Sequence, residues 1–390
     1  MSHPESKSAS HKKLRAAVET IVSTRFIGGN HVKVLKNGDE IFPAMLSALS
    51  QAKKSIDFVT FIYWEGDIAR TFAARLAEKA RDGIRVRVVL DAWGSMPMDE
   101  ELVHTMTSAG VQLEHFRPKA RWKFWENDHR THRKILVIDD QVGFTGGVGI
   151  ASEWEGDARN SEEWRDTHFL LDGPIAMGLK ATFLTDWRDT GHAVNPSDAD
   201  SKAVQKRGDV EVALIDGSVQ IGYDDAERVL EALIAAAEQR ILIQTPYFNP
   251  SDIVLDLLKA AMERDVEVDL LVPGPHIDKR VSKIMAEEMY IPLISMGARV
   301  WIFQPTMMHV KAFLVDSTIS MVGSVNVNRR SMLKDEETAV VILNEEITQI
   351  LEEHYREDIR RSCLSEAEEP QRSVFHKILS KILKPVKQEL

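Results

Sequence analysis

The chain has 390 residues, 44% of them hydrophobic and 28% charged, with a formal net charge of -11. This composition is that of a globular protein with a sizeable core, and its acidic balance speaks against a nucleic-acid substrate. Cys363, the single cysteine, excludes an intramolecular disulfide and a thiolate zinc cluster. No apolar run approaches the roughly 18 residues of a spanning helix, and Met1 to Lys13 lacks the apolar core of a secretory signal, so the chain is expected to be soluble, or peripheral to a membrane at most.

After an N-terminal extension over 1–31, the apolar spacing predicts a helix from Phe42 to Lys53 and a strand from Ser55 to Tyr63. A helix follows over Ala69 to Asp82, then a buried strand over Val86 to Asp91 and a turn-and-strand over Gly110 to Pro118. The first half ends after a histidine-led strand, His132 to Asp139. The polar stretch 195–207 reads as a linker. The same order then returns: helix Ala226 to Ala237, strand Arg240 to Phe248, helix Ile253 to Arg264, strand Val266 to Val272, turn-and-strand Gly297 to Pro305, and strand His309 to Asp316. The chain is therefore a duplication, with halves over 32–194 and 208–362. Strands alternating with helices make each half an α/β unit.

Each half carries a histidine, a lysine two residues on, an aspartate five further, and then a glycine turn at matched spacing. The first set is His132, Lys134, Asp139, Gly146 and Gly147; the second is His309, Lys311, Asp316, Gly323 and Ser324. On a strand, residues two apart project from one face, which would set each histidine beside its lysine. A lysine neutralises phosphate oxygens, and an imidazole attacks phosphorus or moves a proton. One such motif means little; two at matched spacing inside a duplicated fold point to phosphoryl chemistry. His129 and His132 lie three apart, but no third metal ligand at suitable spacing accompanies them. Asp57, Glu65 and Asp91 read equally well as solvated strand ends.

The doubled HxKxxxxD pattern with its glycine turn resembles the phospholipase D superfamily. The segments NGDEIFPAML, LDAWGS, WRDTH, TPYF and VPG are similar to its bacterial cardiolipin synthase branch, and the resemblance runs from about Val32 to Arg361. It implies two α/β/α halves packed as a pseudo-dimer around one shared site. It further implies a phosphatidyl transfer through a covalent phosphohistidine, with His132 and His309 as nucleophile and acid-base and a lean to His132 as nucleophile. Lys134 and Lys311 would grip the phosphate, with Ser324 and Asn326 as further phosphate contacts. Asp166 and Glu337 match the carboxylates that hold each histidine by its second nitrogen. Asp139 and Asp316 belong to the motif and read as more structural than chemical. The chain departs from the pattern at Gly149, where many members carry asparagine; a backbone N–H or Ser152 would have to substitute.

By this resemblance no cofactor or metal is required, and the partners are phospholipids, phosphatidylglycerol first and phosphatidylethanolamine as a second candidate, with no nucleic acid. A phospholipase D-type hydrolase, a nucleic-acid phosphodiesterase and a non-catalytic scaffold are the rival readings. Lys119 to Asp128 mixes Trp122, Phe124 and Trp125 with Arg121 and Lys123, fitting either a lipid-water interface or packing beneath a loop. The tail over 371–390 sets Val374, Ile378, Leu379 and Ile382 on one helical face among lysines, a basic amphipathic pattern read as contact with an anionic membrane. The expected location is the cytoplasm, against the inner face of the cell membrane.

Overall fold

The computed structural model describes residues 4–118, 129–195, 198, 204–217 and 225–365. The aromatic-basic segment 119–128, the tail 371–390 and part of the 195–207 linker lie outside the described residues.

After helix α1 (Pro4–Ile21), the first half contains β1 (Ile27–Lys36), α2 (Asn37–Gln51), β2 (Ser55–Thr60), α3 (Asp67–Arg81), β3 (Arg85–Asp91), α4 (Glu100–Ser108) and β4 (Gln112–Phe116). It closes with β5 (Arg130–Thr131), β6 (Lys134–Ile138), β7 (Val142–Gly146), β8 (Thr167–Asp172) and α5 (Ile175–Asp189). The second half opens with β9 (Val210–Gly217), α6 (Asp225–Ala236), β10 (Arg240–Gln244), α7 (Asp252–Met262), β11 (Glu267–Pro273), α8 (Arg280–Ser295) and β12 (Arg299–Phe303). It continues through β13 (Ala312–Val315), β14 (Ile319–Gly323), α9 (Arg329–Leu333), β15 (Asp335–Leu343), α10 (Glu345–Arg360) and β16 (Ser362–Leu364).

Strand order repeats as the sequence does. The first sheet runs β1-β8-β7-β6-β2-β3-β4 and the second β9-β15-β14-β13-β10-β11-β12, with β16 on the far edge. In each, the three strands linked through helices pair in parallel and the motif hairpins pair antiparallel. The two sheets join where β1 meets β9, through Ile27 opposite Val212 and Asn30 opposite Val210.

Side-chain alternation divides the core into three slabs. Ile56, Phe58, Val88 and Leu90 face outward onto Phe42, Phe72, Leu76 and Met106 of the first half's outer helices. In the second half Ile241, Ile243, Val268 and Leu270 meet Val229, Leu233, Val254 and Leu258, joined by Leu14 and Val18 of α1. The opposite faces of both sheets share one slab, where Val59, Val89 and Val137 and their counterparts Leu242, Leu271 and Leu314 enclose α5 and α10 through Leu179, Phe183, Leu351 and Tyr355. The layers are thus α/β/α/β/α, and the shared slab fixes the two motif ends against each other. Among the described residues no helix is long and apolar enough to cross a membrane.

Candidate active site

Neither motif histidine lies within a strand. His132 precedes β6 and His309 precedes β13, correcting the expectation that histidine and lysine share a strand face. Each is instead hooked by its backbone onto the other half: His132 N donates to Glu336 O at 2.8 Å, and His309 N donates to Arg165 O at 2.7 Å. The side chains cross in the same way. His132 Nδ1 lies 2.9 Å from Glu337 of the second half, and His309 Nδ1 lies 2.8 Å from Asp166 of the first. A carboxylate on Nδ1 fixes the tautomer that leaves Nε2 free and stabilises the imidazolium. Neither half holds a complete pair alone.

The lysines fold back over their own histidines, Lys134 Nζ donating to His132 O at 2.7 Å and Lys311 Nζ to His309 O at 2.6 Å. Burial first, then the neighbouring lysines, holds His132 well below its ordinary range. Burial and Lys311 hold His309 at about 4. His132 responds to Lys311 and His309, and His309 to Lys134, so all four groups share one site. Burial also brings Lys134 down to about 8 and Lys311 to about 7.

The two carboxylates are supported differently. Asp166 accepts from the Trp154 indole at 2.9 Å and from Thr167 N at 2.8 Å. Burial would raise its pKa, but His309 and Lys311 outweigh this and hold it below its usual value. Its carboxyl occupies the space over Gly147, where an added Cβ would lie 2.3 Å from Oδ1. At the matching position of the second half stands Ser324, whose hydroxyl donates to Glu337. Burial pushes Glu337 up to about 8.

The motif residues therefore separate by place. Ser324 is fully buried and holds Glu337, so it supports His132 instead of lying open to a phosphate oxygen. Asn326 is buried, its amide nitrogen donating to Ser331 Oγ at 3.1 Å. Asp139 and Asp316 stand at the other end of β6 and β13, about 17 Å along the strand from the lysine end. Asp139 accepts from the backbone N–H groups of Lys53, Lys54 and Ser55, and Asp316 from those of Glu238, Gln239 and Arg240. At Gly149 an added Cβ would lie 2.8 Å from that of Ile62, so no asparagine fits, and the Ser152 hydroxyl turns to Glu153. His129 Nδ1 meets Lys334 O at 2.9 Å, a loop contact.

Several neighbours were not singled out as site residues from the sequence. Phe61 lies edge-on to His132 at 5.0 Å, and Trp154 and Trp164 each lie 5.4 Å from His309. Arg133, fully buried between His132 and Lys134, is held by Asp186, Asp216 and Glu336 and so pins the histidine's own segment. A tryptophan or arginine announces itself only by type; its role here depends on contacts across the two halves.

Residues 45–161 and 230–359 match the family model described as cardiolipin synthase, PLD-like domain. The chain is 31% identical over 357 residues to cardiolipin synthase 1 of Bacillus cereus, covering 88% of this chain and 70% of that one. It is 32% identical over 338 residues to the probable cardiolipin synthase YwiE of Bacillus subtilis, covering 85% and 67%. The fold is similar to the crystal structure of a phosphatidylserine synthase from Haemophilus influenzae, with TM-score 0.69 at 14% identity over 97% of this chain and all of that one. A polyphosphate kinase from Porphyromonas gingivalis shares the fold at TM-score 0.57 and 15% identity, over 91% of this chain and 53% of its own.

Proposed function

This chain belongs to the cardiolipin synthase family with a PLD-like domain, and from that membership we propose that it is a phosphatidyltransferase. It takes the phosphatidyl group from one phospholipid and passes it to a free hydroxyl of phosphatidylglycerol or a similar alcohol. The observation that carries the reading is the crossed pairing of His132 with Glu337 and His309 with Asp166, which gives two imidazoles in one site, each with Nδ1 held.

In the first step Nε2 of His132 attacks phosphorus and the bond to the leaving alcohol breaks, its oxygen taking a proton from His309, which gains that proton as the anionic phosphodiester binds beside it and favours the imidazolium. In the second, the acceptor hydroxyl gives its proton to His309 while its oxygen displaces His132. The phosphorus–nitrogen bond breaks and both histidines return to their starting state. His132 is taken as the nucleophile by resemblance to the family. Lys134 and Lys311 carry the charge of the phosphoryl oxygens, so the two displacements call for no metal, and a chelator is expected to leave turnover unchanged. The expected setting is peripheral contact with the inner face of an anionic membrane.

The test is incubation with phosphatidylglycerol, alone and mixed with phosphatidylethanolamine, with products read by mass spectrometry. Cardiolipin and glycerol are expected from phosphatidylglycerol alone. Phosphatidic acid as the sole product would make the enzyme a hydrolase. His132→Ala and His309→Ala should each lose at least the roughly 100- to 10,000-fold that acid-base catalysis supplies; more than a tenth of wild-type rate in either would end the shared-site reading.

A further inference from the structure

Four of the five most exposed large apolar residues among those described stand on one edge: Met96 (68%), Ile253 (60%), Trp93 (50%) and Leu333 (50%). Trp93 and Met96 follow the carboxyl end of β3, Ile253 opens α7 beyond β10, and Leu333 ends α9 beyond β14. Strand pairing puts these ends beside the amino ends of β6 and β13, where His132 and His309 lie. We propose that this edge is the membrane face of the protein, with Trp93 and Met96 on one side of the catalytic opening and Ile253 and Leu333 on the other, all entering the headgroup layer of an anionic bilayer. The inference rests on the lipid substrate proposed above.

Both apolar pairs are built onto the segment that carries His132. The turn holding Trp93 and Met96 is fixed by Asp91, which accepts from Trp93 N at 2.8 Å and Gly94 N at 2.9 Å; Trp64 donates to Gly94 O at 2.7 Å. The other Asp91 oxygen accepts from Thr131 N at 3.1 Å, one residue before His132. On the opposite side, Leu333 is followed by Lys334, whose carbonyl meets His129, and by Asp335, paired with Arg130 in the β5–β15 ladder. Arg329 reaches Asp252 at 3.4 Å, joining α9 to the start of α7 beside Ile253.

Two observations select a bilayer as the occupant. An exposed tryptophan beside the histidine end of the sheet is the kind of side chain that anchors at a lipid-water interface. Lys279, on the connection after β11, and Arg280, which opens α8, are exposed, with Lys279 over the Tyr247 ring at 5.0 Å, and their charge matches anionic headgroups.

The full chain is tested as wild type, as Trp93→Ser/Met96→Ser, as Ile253→Ser/Leu333→Ser, and as a Met296→Ser/Leu364→Ser control on other edges. Co-sedimentation with vesicles of phosphatidylglycerol and phosphatidylcholine is read in high salt, where contacts made by exposed lysines alone are screened. Turnover is read on the same vesicles and on monomeric short-chain phosphatidylglycerol. Each rim variant should lose about tenfold in vesicle partition and vesicle turnover, keep its rate on monomeric substrate, and match wild type in circular dichroism; the control should behave as wild type. Rim variants that bind and turn over vesicles like wild type would overturn the membrane face. Wild-type protein that binds vesicles through the rim yet transforms neither substrate would instead refute the lipid reaction.

Discussion

A lysine grips a phosphate only while protonated, so the lowered values of Lys311, about 7, and Lys134, about 8, have a direct kinetic consequence. Because kcat/KM reports the free enzyme, it should fall as pH rises through this window, while kcat, measured with the anion already bound, should persist to higher pH. A kcat/KM profile still flat at about pH 9 would remove both lysines from substrate binding. The second prediction at this scale concerns Ser324. If its hydroxyl serves Glu337, Ser324→Ala leaves a buried carboxyl oxygen short of a donor, a loss of about 1–3 kcal/mol, or roughly 5- to 160-fold in kcat with KM little changed. A rise in KM at constant kcat would return Ser324 to the phosphate. The motif gave its position; the choice of partner depended on Gly147 and Asp166 filling the matching place in the other half.

The elements repeat more faithfully than the side chains do. Asp139 and Asp316 share a left-handed conformation, both at φ 53°, and each ties three backbone N–H groups ahead of β2 or β10. Asp139→Ala should therefore lower stability by about 1–3 kcal/mol, read as a lower urea midpoint, and leave kcat of the folded enzyme within twofold. Loss of activity at full stability would put the aspartate back in the chemistry. Elements whose cause is local were legible: the predicted strand Val86 to Asp91 is β3 (Arg85–Asp91), and the predicted helix Ile253 to Arg264 is α7 (Asp252–Met262). Where tertiary contact sets the boundary, the pattern misled. Helix α2 starts at Asn37, five residues before the apolar periodicity does, because Gly38 lies against the backbone of Trp154 and Asp39 N donates to Gly156 O at 3.0 Å. The carboxylates could be named by resemblance, but their crossing spans 205 and 143 positions and has no trace in local spacing.

At the scale of the molecule, the slab enclosing α5 and α10 belongs to both sheets, so neither half can open without exposing the other's core. Calorimetry should accordingly record one cooperative transition; two separable ones would mean that the halves are independent domains. The crossed pairing also bears on how the protein is made. His132 and its lysine leave the ribosome early, but Glu337, which holds that histidine, comes 205 residues later, and the backbone hook at Glu336 comes with it. Synthesis from the amino terminus builds the first motif without its partner. A nascent chain released before that point carries the first histidine-lysine pair with no carboxylate behind it. The site is therefore completed only once β15 has been synthesised and paired into the second sheet, late in the chain.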